Sequence, residues 1–206
     1  LDVKCMNSST HPLIAGLRRA GSISPYFDLP VRDSHQEGWI SGEDLFLSND
    51  RRLRNLVRTY GQAFWGTANP HVAGSAFIIA YLTRLVWPVI GQWVREGQVP
   101  DVTLGNIVFH RAGDGIDATE MARPNFATVA GNSHAEHPDG IIIADADALY
   151  SQLKQWLLVA NLELVIAALH RAAGASFKIS WNAAAYACAQ AFHHLFPVAE
   201  SPETLN

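Results

Sequence analysis

Residues 131–140, GNSHAEHPDG, crowd His134, Glu136 and His137 into one short stretch. Imidazoles and a carboxylate are donors that Zn²⁺ and non-haem Fe²⁺ favour. The H-x-E-H spacing is not a zinc signature, and H-E-x-x-H does not occur in the chain. Gly131, Asn132, Pro138 and Gly140 place the set on a loop, where a solvated polar surface accounts for the same residues. A further imidazole, His110, stands at a strand end in FHRAGDGID, beside Asp114 and Asp117. Asp114 and Gly115 are what a hairpin turn requires, so structure alone explains them. A mononuclear Fe or Zn site drawing on His110, His134, Glu136 and His137 is one expectation.

Arginines offer different chemistry. Arg51, Arg54 and Arg58 are three and four apart and share a helical face. Arg84 sits inside FWGTANPHVAGSAFIIAYLTRLVWPVIGQWVREGQVPD, residues 64–101, the most apolar stretch of the chain. A buried guanidinium needs an anion. Glu43, Asp44, Asp101 and Glu163 are the candidate partners, and a ligand is the alternative. Arg54, Arg58 and Arg84 together suit a carboxylate-rich or hydroxamate ligand, because the guanidinium fork grips planar anions bidentately. A solvated helix face is the plain account of residues 51–58.

Other chemistries find no support. G-x-S-x-G is absent, and AGDGID lacks the following helix that a dinucleotide site needs. A net charge of −4 over 206 residues argues against nucleic acid as a partner. Two cysteines, Cys5 and Cys188, make no disulfide framework, which suits a reducing, cytoplasmic setting. LDVKCMNSSTHPLIAGLRRA lacks a continuous apolar run, so no secretory signal is expected; Met6 reads as a natural start.

The elements that must position these side chains are mostly helical. Residues 70–96 predict one long helix with Thr67 or Asn69 as cap, Pro70 in its first turn, a bend near Pro88 and Gly97 past its end. With Arg84 and Pro88 inside it and no second comparable stretch, it reads as a buried core helix and not a membrane span. Further helices are predicted over 9–20 (capped by Ser9 or Thr10), briefly over 42–48, over 50–65 (capped by Asp50), 146–173 and 178–196. Strands are expected within about 103–145, with a turn at Gly113–Gly115. The fold class is therefore α+β, mainly helical, around a small antiparallel β segment. The chain is read as a single domain over 1–206, with 1–50 the least certain part and 197–206 a frayed tail.

Four segments in this order resemble a known family. GT-x-x-P-x-VAGS (Gly66 to Ser75), RL-x-x-PV (Arg84 to Val89), G-x-VPD (Gly97 to Asp101) and W-N-A-A-A (Trp181 to Ala185) resemble the FhuF-like ferric siderophore reductases. A related fold forms the C-terminal part of IucA/IucC-type siderophore synthetases. The resemblance implies a siderophore or its precursor as ligand and adds Trp181 and Asn182 to the candidate ligand-binding residues. It also implies a [2Fe–2S] cluster on four C-terminal cysteines. Here the last helix offers only Cys188, with His193 and His194 near its end, so the cluster is not expected. The leading expectation is a cytoplasmic FhuF-like protein that binds or processes a siderophore without a cluster of its own. A mononuclear metal enzyme, and a non-catalytic binding or scaffold subunit that dimerises through exposed aromatics, are the alternatives.

Overall fold

The computed structural model describes residues 11–32, 38–112 and 115–196. Helices dominate: α1 (Pro12–Gly21), α2 (Gly42–Phe46), α3 (Asp50–Trp65), α4 (Pro70–Glu96), α5 (Ala146–Leu153), α6 (Glu163–Ala173) and α7 (Phe177–Leu195). Strands β1 (Trp39–Ser41), β3 (Ile107–Ala112) and β4 (Gly115–Met121) form one antiparallel sheet in the order β1–β3–β4. Strands β2 (Gln98–Pro100), β5 (Phe126–Val129) and β6 (Gly140–Ile143) form a second sheet. The expected mainly helical α+β class is what the chain adopts. The single antiparallel segment is corrected to two sheets, because β6 runs parallel to β5 after a loop without a crossover helix.

The long helix α4 is the axis of the fold. Asn69 Oδ1 accepts from the His71 and Val72 amides, Pro70 occupies the first turn, and Gly97 closes the helix at φ 63°. The left-handed conformation there is one that glycine adopts without steric cost. The helix continues through Pro88. Ile78, Leu82, Leu85, Val86 and Val89 are fully buried between α7, α3, α1 and α6. Gly74 permits a close approach of α4 to the end of α6: a Cβ there would lie 3.2 Å from those of Ala173 and Ala175. Leu13, Leu17, Phe27, Leu45 and Phe46 complete the same core, so the N-terminal fifty residues contribute to it as far as they are described.

Local details differ from expectation for physical reasons. His11, not Ser9 or Thr10, caps α1 through Nδ1, which accepts from the Leu13 amide at 3.2 Å; residues 9 and 10 lie outside the described residues. Asn49 caps α3 by accepting from the Arg51 and Arg52 amides, and Asp50 moves into the first turn, 3.6 Å from Arg171. The turn at residues 113 and 114 and the tail at 197–206 also lie outside the described residues.

The expected helix over 146–173 contains a π-helical stretch, Lys154–Leu162. It carries the fully buried Asn161, whose Nδ2 donates to the Val102 carbonyl and whose Oδ1 accepts from the Tyr81 hydroxyl, both at 2.7 Å. A second stretch comparable to α4 does exist: Pro70–Glu96 and Ala146–Ala173 each contain an 18-residue window, of mean hydropathy 1.5 and 1.4, and both are long and apolar enough to cross a membrane. Within the fold 72% and 50% of those windows are buried.

Candidate ligand-binding groove

The exposed side of α3 and α4 faces β4 across a groove of about 710 Å³. Tyr60 and Phe64 from α3, Arg84 and Trp87 from α4, and Ile116 and Thr119 from β4 line it, and Tyr26 closes one end. The helical spacing dictates this wall: Tyr60 and Phe64 are one turn apart, as are Ala80, Arg84 and Trp87. Phe64 and Tyr26 stay 70% and 58% exposed at the rim. Tyr26 packs edge-on against Trp87 at 5.3 Å, and Tyr60 tilts against Phe64 at 4.8 Å. Aromatic side chains gathered in a concave, partly open site are typical of ligand pockets.

Arg84 is not the buried ion-pair member expected from its apolar context. It is exposed, and neither Glu43, Asp44, Asp101 nor Glu163 pairs with it. The reason is helical phase: Arg84 occupies the one stripe of α4 that the packed helices leave uncovered, between buried Leu82 and Leu85. Its guanidinium opens into the groove without an ion pair among the described residues. Beside it, Leu56 and Thr59 lead into a smaller recess of about 210 Å³ whose walls carry Arg52, Arg58 and Arg111. None of these three has an ion pair among the described residues either. Arg54 points elsewhere and donates from Nε to the Ala172 carbonyl at 2.8 Å, closing the end of α6.

The opposite wall is acidic, with Asp28, Asp117 and Glu120. His110 Nδ1 lies 2.7 Å from Asp117 Oδ1, a hydrogen bond that holds the Asp117 carboxyl below the ordinary range. His110 is thereby committed to Asp117 and does not approach the 131–140 loop as a metal donor. Trp181 is half-buried against the core and Asn182 is exposed; neither borders the groove.

The loop set also resolves differently. His134 and Glu136 are exposed, and only His137 turns inward. It meets two residues that the sequence does not bring near each other: Asp139, two positions on, and His11 from the start of α1. Burial and the neighbouring His137 hold His11 below the ordinary imidazole range, partly opposed by its bond to Asp139.

The described residues do not supply the thiolates of a [2Fe–2S] cluster. Such a cluster takes four thiolates, or two with two imidazoles. Cys5 lies outside the described residues. Cys188 is half-buried in α7, and burial pushes its thiol up, away from the thiolate form a ligand needs. His194 is packed on Trp87, with ring centroids 4.7 Å apart.

Fold and groove define a mainly helical α+β protein with an aromatic, arginine-bearing ligand groove. Residues 75–206 match the family described as Ferric iron reductase FhuF-like transporter, and the chain belongs to that FhuF-like family. Membership supports a role in siderophore and iron metabolism. The match covers Arg84, Trp87, Ile116 and Thr119 of the groove and begins after Arg52, Arg58, Tyr60 and Phe64. No curated protein matches the chain, and no solved structure does. Sequence reasoning missed Arg52, Arg111, Tyr60 and Phe64 as groove residues. The α3 periodicity already put Arg52, Leu56, Thr59 and Tyr60 along one side, but nothing in the sequence showed that β3 and β4 face it.

Proposed function

We propose that this protein is a cytoplasmic component of siderophore metabolism that binds a siderophore or its ferric complex in the α3–α4–β4 groove. The observation that carries the reading is Arg84, an arginine without an ion pair among the described residues, in an aromatic-lined groove large enough for a small chelate. Arg52, Arg58 and Arg111 in the adjoining recess add positive charge on the same side. Aromatic faces stack on planar chelating groups, and guanidinium forks pair with their oxygens. Arg84, with Arg52, Arg58 and Arg111 in the adjoining recess, favours an anionic chelate such as a ferric tricatecholate over a neutral trihydroxamate, seated at the recess side of the groove, away from Asp28, Asp117 and Glu120. Binding and handling of the chelate require no cluster on this chain.

The test is direct because Trp87 lies in the groove. Titration with a ferric tricatecholate and a ferric trihydroxamate should quench tryptophan fluorescence saturably, with the anionic chelate bound more tightly and more sensitive to salt. Trp87→Phe should remove much of the quench. An absence of saturable binding for both chelates would overturn the proposal.

A further inference from the structure

Away from the groove, the N-terminus of α1 meets the loop before β6. His11 Nε2 lies 3.2 Å from Asp139 Oδ2, and His137 Nδ1 lies 3.8 Å from the same oxygen. One ligand atom from each residue falls within 4.8 Å of the others. About 3.3–3.4 Å separates ligand atoms on a tetrahedral ion with bonds of about 2.0–2.1 Å. One edge of such a site is therefore already formed, and small side-chain rotations bring in the third. The two imidazoles stand edge to face at 4.4 Å, and Phe126 packs against both, at 6.1 and 6.0 Å. Asp139 keeps the site open, with 39% of its side chain exposed.

We propose that His11, His137 and Asp139 hold one divalent transition-metal ion, Zn²⁺ or Fe²⁺. Two imidazoles and one carboxylate on one side of an ion leave the remaining coordination positions to water or a small anion. The hydrogen bonds around His137 support the same assignment. His137 Nδ1 accepts from the Asp139 amide, so it carries a lone pair and no proton, yet it faces a carboxylate oxygen. A cation removes that juxtaposition of two acceptors, in exchange for the bond from the Asp139 amide to His137 Nδ1.

His11 sets a condition on binding. Its Nδ1 accepts from the Leu13 amide, which leaves the ring proton on Nε2. Coordination through Nε2 moves that proton to Nδ1, and the Leu13 amide then loses its acceptor. The ion and the α1 cap compete for His11. Loss of a cap lowers the affinity by about 2- to 30-fold.

The experiment uses the untagged protein, treated with a chelator and then titrated with Zn²⁺ in competition with a chromophoric chelator. Co²⁺ serves as a visible reporter of coordination. The expected result is one Zn²⁺ per chain, a raised Tm, and faster hydrogen exchange at the Leu13 amide when the ion binds. Changes beyond the ligand shell already cost about 10- to 100-fold in affinity, so His137→Ala and Asp139→Asn should each cost at least as much. His11→Asn keeps a cap acceptor and removes the imidazole, so it should fold and fail to bind. His134→Ala and Glu136→Ala should bind as the wild type does. No binding at micromolar Zn²⁺, undiminished binding by folded His137→Ala and Asp139→Asn, or loss through His134→Ala or Glu136→Ala would each overturn the proposal.

Discussion

Tyr81→Phe is a sharp test of how the groove is held. Tyr81 lies behind the groove on α4 and donates its hydroxyl to Asn161 at 2.7 Å, with Asn161 fully buried. Burial pushes the phenol well above its ordinary range, so it remains a donor at any working pH. The substitution removes one oxygen and leaves the packing of the ring unchanged. Asn161 Oδ1 then has no donor, and a stranded buried acceptor costs about 1–3 kcal/mol. For a domain of this size that lowers the Tm by about 2–12 °C. Asn161→Leu should cost more, because it strands both the Tyr81 hydroxyl and the Val102 carbonyl. The double variant should cost less than the sum, since the two residues share a bond. Chemical denaturation with an unchanged m value is the assay. A Tyr81→Phe protein as stable as the wild type would refute the claim that this pair ties the π-helical stretch to α4.

Two further outcomes follow from the same structure. Gly61→Ala should destabilise by about 1–3 kcal/mol, despite the better helix propensity of alanine, because the new Cβ meets the Ala73 Cβ and lies 2.9 Å from the Thr67 carbonyl; calorimetry measures the loss. The Asp117 carboxyl should titrate below the ordinary carboxylate range by NMR and rise toward it in His110→Ala. Its folded value is depressed, so the stabilisation is present above the ordinary range and is lost as pH falls through the folded value. A normal titration of Asp117 in the wild type would show that the pair does not form in solution.

Much of the helical frame was readable because its signals are local. Asn69, Pro70 and Gly97 bracket α4 by cap and turn chemistry alone, and Gly174 ends α6 in the same left-handed conformation. What could not be read depends on long-range placement. An arginine inside an apolar run looks buried until the helix phase relative to its neighbours is known, and Arg84 falls on the uncovered stripe. The π-helical stretch carries Asn161, whose partner Tyr81 lies 80 residues away and is announced by no periodicity around Asn161. His11 joins Asp139 across 128 residues, whereas the nearer donors His134 and Glu136 point to solvent. Parallel pairing of β5 and β6 was equally hidden, because each strand reads the same in either direction.

The affinity ratio between wild type and Arg84→Lys for a ferric tricatecholate tests the central claim most directly. Lysine keeps the charge and loses the bidentate fork. Arg84 is exposed, so the variant should melt as the wild type does. Loss of a charge-assisted bond of about 1.5–3 kcal/mol predicts binding weaker by about 10- to 100-fold. Equal affinities in a fully folded Arg84→Lys protein would contradict the account and remove this groove as the chelate site.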